Sequence, residues 1–377
     1  MRNHPSLLAS LDRAQTLLQP EAVPDSFLDR YLALRELAQA DLWEEQPSTP
    51  AARAKSVMQQ VALAPQARFN ARLLGYLRRE LASEARRLAP AERPRLVYLA
   101  PFDVLSRNGG AARVLGLAGA LASRYAVDII SLVGPRRAAE QIPVEPGVWI
   151  HAVPQSEEFV EAVREDARAL GGAAVSLGLA RHLAQLPLLV DWYRRLATGA
   201  QVCVMNQPYL FPLWQQHSPG LTLLYDVPEV NSFFTRRMAG DKADAGRVQR
   251  EQAALESAAC AASACIGMAS ALDMDALARE QGEEIRSKLA LVPNGVWVGR
   301  ALFAPPGRAR EIQRACGWPG PLAVFLGSPA YAPNIGAVEH IVRTLAPAHR
   351  GCTFAVIGMT AADVEGPPAP DKVVFLG

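Results

Sequence analysis

The rhythm of apolar and polar positions changes once along this chain, at the joint Ala89-Pro-Ala-Glu-Arg-Pro94. Before the joint, leucines recur at helical spacing and no short apolar run reads as a strand, so residues 1–93 are expected to form a helical extension. Within it Phe69, Leu73, Leu74, Tyr76, Leu77 and Leu81 make one amphipathic stripe, with arginines beside it. After the joint, short apolar runs alternate with segments of helical length. Arg95–Ala100, Val127–Val133, Val148–Val153, Gln201–Met205, Leu221–Tyr225, Cys265–Met268 and Leu289–Val292 read as strands. Strands separated by amphipathic helices predict an α/β protein with a doubly wound, largely parallel sheet. A Pro- and Gly-punctuated stretch follows, and then a second cycle begins: strand Leu322–Leu326, helix Ile335–Leu345, strands Thr353–Ile357 and Val373–Leu376. The expected division is a helical extension (1–93), a first Rossmann-like domain (94–296), a connector (297–320) and the start of a second Rossmann-like domain (321–377). That second domain is read as incomplete.

Composition narrows the classes. With 377 residues, 50% hydrophobic and 20% charged, the chain is globular, and 39 basic against 37 acidic residues exert no general pull on nucleic acid. Charge is unevenly placed in the extension, with four basic against eight acidic residues through Pro50 and nine against three from Ala51 to Arg93. The basic amphipathic segment could pack on the next domain or lie on an anionic membrane surface, so residues 51–93 are the expected place for a peripheral membrane or protein contact. Cys203, Cys260, Cys265, Cys316 and Cys352 are scattered, with no Cys-x-x-Cys pair, which predicts reduced thiols and a cytoplasmic setting. Early charges at Asp12 and Arg13 argue against a signal peptide, and no apolar run has the length of a membrane span.

Four motifs could hold chemistry. Asn108-Gly109-Gly110 joins the first strand to a helix, where bare backbone amides and the helix dipole suit an anion. Tyr225-Asp226-Val-Pro-Glu229, followed by Arg236 and Arg237, stands at the carboxyl end of a strand, where open α/β sheets bind ligands. Ser270-Ala-Leu-Asp273-Met-Asp275 contains Asp-x-Asp but reads better as a helix cap than as a metal site. Pro293-Asn294-Gly295-Val296 and the later Gly327-Ser328 with Pro333-Asn334 are turns by themselves, and their order along the chain is what distinguishes them. No Gly-x-Gly-x-x-Gly is present, which weighs against hydride transfer, and the six histidines form no zinc motif.

In that order, with Glu256 before Cys265-Ile-Gly-Met-Ala-Ser270, these motifs resemble a GT-B glycosyltransferase. Residues 95–377 look similar to the retaining family-four group, which uses nucleotide-sugar donors. The resemblance implies that Gly109 and Gly110 approach the donor phosphates, with Asn108, Arg236 and Arg237 contacting substrate. It implies that Asp226 or Glu229 faces the cleft as a catalytic group. Asn294, Gly295, Gly327, Ser328 and Asn334 would lie near the nucleotide. It implies no metal and no cofactor besides the donor, which is a co-substrate.

Two departures stand out. The family's Glu-x7-Glu signature falls beyond the last residue, while Glu36/Glu44 and Glu157/Glu165 share that spacing in the wrong places. Tyr225-Asp226 also stands where many members have histidine. The expected activity is transfer of a hexose from a nucleotide sugar to a saccharide or lipid-linked acceptor in cell-envelope or exopolysaccharide assembly, at the cytoplasmic side of the membrane. The rival expectation is a glycosyltransferase-like binding or scaffold protein without catalysis, or an inactive fragment.

Overall fold

The computed structural model describes residues 93–106, 108–170, 172–230, 245–295, 314, 317–318, 320–329, 332–364 and 372–376. The helical extension, its amphipathic stripe, Cys316, Arg236 and Arg237 lie outside them. The chain divides into two compact units, Met1–Val296 and Trp297–Gly377.

The first unit is built on an eight-stranded sheet. Its described elements run β1 (Arg95–Ala100), α1 (Gly109–Leu121), β2 (Ala126–Val133), β3 (Glu140–Glu145), β4 (Val148–Pro154), α2 (Glu157–Leu170), α3 (Pro187–Ala197), β5 (Ala200–Asn206), α4 (Phe211–His217), β6 (Thr222–Val227), α5 (Ala245–Ala262), β7 (Cys265–Met268), α6 (Ala271–Gln281) and β8 (Leu289–Leu291). The strand order is β3-β4-β2-β1-β5-β6-β7-β8, and every pairing is parallel except β3 with β4.

Strand β1 shows why an uninterrupted apolar run belongs at the centre of such a sheet. Leu96 through Ala100 are all fully buried. Successive side chains point to opposite faces, so Val97 and Leu99 join one core and Leu96, Tyr98 and Ala100 the other. The first core fills the layer of α3 through Leu189 and Tyr193, and the second packs under α1 through Val114 and Ala118.

Strand β3 has no counterpart in the sequence reading. Its Glu-Gln-Ile-Pro-Val-Glu carries two charges and a proline, and as an edge strand it can keep all three while only Ile142, Pro143 and Val144 are buried.

The second unit holds a three-stranded parallel sheet, order β11-β10-β9, made of β9 (Leu322–Leu326), β10 (Thr353–Ile357) and β11 (Val373–Phe375). Helix α7 (Ala332–His340) runs into a wider π-helical turn over Ile341–Leu345 and covers one face through Val338, Ile341 and Val342. Val324 and Leu326, on alternate positions of β9, remain 58% and 75% exposed.

The strand order of the first sheet reverses between β1 and β5, which run parallel. From β1 the sheet grows through β2 and β4 on one side, and through β5, β6, β7 and β8 on the other. In open α/β sheets the crevice outside the carboxyl ends of the strands at such a reversal is where ligands bind. The segments leaving β1 and β5 therefore frame the site.

Candidate functional site at the strand reversal

Residues after β1 form a tight loop tied to the sheet. The Val104 amide donates to Ser131 Oγ at 3.0 Å, and that hydroxyl donates to the Phe102 carbonyl at 3.0 Å. The Leu105 amide donates to Asp103 Oδ1 at 2.9 Å, while Asp103 Oδ2 pairs with Arg137 at 3.1 Å. The loop then delivers Asn108 in an extended conformation, and its side-chain oxygen accepts the Ala111 amide at 2.8 Å. This is a helix N-cap, which satisfies the third amide of α1 and leaves the first two to other acceptors. Among the described residues none reaches the amides of Gly109 and Gly110.

Gly109 is exposed, and a Cβ added there would meet nothing within 4 Å. At Gly110 a Cβ would come within 3.1 Å of the Phe102 ring and 3.4 Å of Asn108 Oδ1, so glycine is what lets the loop close this tightly over the helix start. Two unpaired amides at the positive end of a thirteen-residue helix offer an anion both hydrogen bonds and a favourable dipole.

One buried cation fixes where that helix start stands. Arg113, only 5% exposed, points from the first turns of α1 to Asp226 at the end of β6. Arg113 Nη2 donates to Asp226 Oδ1 at 2.6 Å, and Nε bridges both carboxylate oxygens at 3.0 and 3.2 Å. Arg113 Nη1 donates to the Val292 carbonyl at 2.8 Å and to Asn294 Oδ1 at 2.9 Å. Asp226 Oδ2 also accepts from Tyr98 Oη at 2.8 Å and from Asn206 Nδ2 at 2.7 Å. One carboxylate thus joins β1, β5, β6 and α1, and its arginine reaches the exit of β8. Burial first, and then the adjacent Asp226 carboxylate, push the Tyr98 phenol well above its ordinary pKa, so it stays a donor.

Most of the residues expected from the sequence in this unit are brought together, in different parts. Asn108 caps α1, Gly109 and Gly110 present its amides, and Asn294 is held by Arg113, with Gly295 exposed beside it. Asp226 is 4% exposed and both its oxygens are occupied, which makes it an anchor for Arg113. Glu229, just past β6, is half-buried. Burial raises the pKa of Tyr209 above the ordinary phenol value, and the charges of Glu256 and Glu229 add to the effect.

In the second unit, the Gly327 amide donates to the Ile357 carbonyl at 3.0 Å, and Asn334 Nδ2 donates to the Ser328 carbonyl at 3.0 Å. These close the turn from β9 to α7. A Cβ on Gly327 would lie within 2.8 Å of Asn334 Cγ.

The sequence reading gave no part to Arg113, Tyr98, Asn206 or Gln207. An arginine on the buried side of a helix otherwise made of Gly, Ala, Val and Leu was the signal available for Arg113. Ser270 caps α6 through the Leu272 and Asp273 amides, and Asp275 pairs with Arg286 at 2.8 Å. Among the described residues no three His, Cys, Asp or Glu side chains gather as a metal set. Nor, among them, is any helix long and apolar enough to cross a membrane.

No family model and no curated protein matches the chain. Solved structures do. Sucrose-phosphate synthase from Thermosynechococcus elongatus aligns at 14% identity with a TM-score of 0.52, covering 76% of this chain and 70% of that one. Medicago truncatula UGT71G1 complexed with UDP-glucose aligns at 11% identity and TM-score 0.49, covering 76% and 72%. HepE of Anabaena in complex with UDP-glucose aligns at 13% and 0.46, covering 75% and 68%. The likeness to the synthase shows a shared fold, with a Rossmann-like parallel-sheet core followed by a second, smaller α/β unit, the GT-B architecture.

Proposed function

We propose that the protein is a glycosyltransferase that takes a hexose from a nucleotide-sugar donor without a metal. The observation that carries this reading is the start of α1, where the unpaired amides of Gly109 and Gly110 face the strand reversal on a helix fixed by the Arg113–Asp226 pair. Glycosyl transfer builds negative charge on the departing diphosphate. Preorganised amides at a helix N-terminus stabilise that charge with no reorganisation during the reaction. The shared GT-B fold supports the reading.

The residues take the following parts. Gly109 and Gly110 receive donor phosphate, and Asn108 orders them as the cap. Asp226 acts through Arg113 as a positioning residue, and Glu229 is the carboxylate that faces a substrate. Asn294 and Gly295 in the first unit, and separately Gly327, Ser328 and Asn334 in the second, are the nucleotide-contacting residues of their own units, and Arg236 and Arg237 contact substrate. The acceptor is a saccharide or lipid-linked saccharide. Membership of the retaining family-four group, a place in cell-envelope or exopolysaccharide assembly, a cytoplasmic location and a membrane or protein contact through residues 51–93 all belong to this proposal.

A binding protein without transfer is the second reading, favoured by the full occupancy of Asp226. A thermal-shift screen with UDP-, GDP- and ADP-sugars tests both, because a ligand present at one hundred times its Kd stabilises the folded state by about 2.7 kcal/mol. The transfer reading expects one nucleotide family to raise the melting temperature and to be consumed when acceptor sugars are added. Stabilisation without consumption selects the binding reading, and no stabilisation by any of the three overturns both.

A further inference from the structure

Among the described residues, Gln207 is the one non-glycine residue with a positive φ, at 64° with ψ 157°. Side chains with a Cβ rarely adopt that region, and a residue persists there only where the surrounding structure holds it. Pro208 follows and allows the extended ψ, but it does nothing to relieve the φ. A glycine would make the same turn without strain, so the turn alone does not account for a glutamine.

The place is also specific. Gln207 directly follows β5, and Leu99 of β1 pairs with Met205, so the residue leaves the sheet beside the end of β1 at the strand reversal. Its amide donates to the Asp226 carbonyl at 3.2 Å, which holds the strained backbone to the strand beside it. A second cost sits one residue earlier. Asn206 is 1% exposed and its Oδ1 has no hydrogen-bond partner among the described residues, although a buried polar atom is normally satisfied. Strain and an unsatisfied acceptor on adjacent residues, at the crevice of an open sheet, mark a functional position rather than a structural one.

The chemistry at the position selects a ligand. Arg113 and Asp226 neutralise one another across α1 and β6, and the side chains at the end of β5, Asn206 and Gln207, are uncharged amides. A half-buried glutamine side chain offers two donors and an acceptor, the pattern that pairs with hydroxyl groups. We propose that Gln207 is a specificity-determining residue that reads a hydroxyl of a neutral saccharide acceptor. This rests on the glycosyl-transfer reading and deepens it on the acceptor side.

The test uses the full chain and the variant Gln207→Gly. Glucose, galactose, mannose and N-acetylglucosamine are titrated separately and followed by saturation-transfer NMR, with melting temperatures recorded in parallel. The expected result is that at least one of the four binds the wild type and binds Gln207→Gly about 3- to 10-fold more weakly, as loss of one neutral hydrogen bond predicts. The variant should also melt higher, by roughly 2–4 °C or more, as the strain is released. Equal binding by both proteins, no binding to the wild type, or a lower melting temperature for Gln207→Gly overturns the proposal. The nucleotide-sugar screen is run on the same preparation, and its failure alone sinks the transfer reading while the saccharide titration still decides the role of Gln207.

Discussion

Replacing Asp226 by alanine separates an anchoring carboxylate from a catalytic one. The side chains of Arg113 and Asp226 are 2% and 5% exposed and meet at 2.6 Å. Removing one member leaves the other buried without its counter-charge, which costs about 3–5 kcal/mol. Tyr98 Oη and Asn206 Nδ2 lose their acceptor in the same step. With an m-value of about 3 kcal/mol per molar urea, the midpoint of unfolding should fall by roughly 1–1.7 M. Tryptophan fluorescence can follow this transition, since Trp149, Trp192 and Trp214 all belong to the first unit. The double variant with Arg113→Met should lose less than the two single losses added together, by about 2–3 kcal/mol, because it leaves no lone charge. An Asp226→Ala unfolding free energy within roughly 0.5 kcal/mol of the wild type, or strictly additive losses in the cycle, would refute the anchoring role.

Gly109→Ala should fold with unchanged stability, since nothing stands within 4 Å of the added Cβ, whereas Gly110→Val should displace Phe102 and weaken nucleotide-sugar affinity by tenfold or more in calorimetric titration. Asp128 supplies a pH dependence. Burial alone would raise its pKa, but hydrogen bonds from His151 at 2.7 Å and Arg95 at 2.7 Å outweigh that and hold it below the ordinary carboxylate value. Its contribution is therefore complete above about pH 4 and lost as pH falls through the lower folded value, so acid titration of Asp128→Asn should show a flatter loss of stability below about pH 4 than the wild type. Gly358, at φ +83°, lies where a Cβ would approach the Gly327 carbonyl oxygen to 2.5 Å, so Gly358→Ala should destabilise the second unit by at least about 1–3 kcal/mol, read as earlier hydrogen exchange at β9 and β10 than in the wild type.

The central strands and the turn into α1 were legible in the sequence because their physics is local. Arg95–Ala100 is an apolar run of strand length, and Asn108-Gly109-Gly110 carries its capping acceptor and its bare amides within three residues. Strand β3 was hidden because an edge position tolerates the charges and proline that usually argue against a strand. The ion pair at the heart of the site was hidden for a different reason. Arg113 and Asp226 stand 113 residues apart, and only the sheet order brings the first turns of α1 over the end of β6. An aspartate at the end of a strand looks the same in sequence whether it faces solvent, a substrate or an arginine. The strain at Gln207 was equally invisible, since glutamine before proline is unremarkable until its φ is known.

The account stands most directly on whether the amides of Gly109 and Gly110 receive a diphosphate. Backbone amide spectra of the deuterated full chain, recorded during titration with UDP, GDP or ADP and with the matching nucleosides, measure this without reference to turnover. The account predicts that one nucleoside diphosphate moves the Gly109 and Gly110 resonances downfield in a saturable manner, while its nucleoside leaves them in place. A diphosphate that binds and leaves both resonances unmoved, or no binding by any of the three, contradicts it.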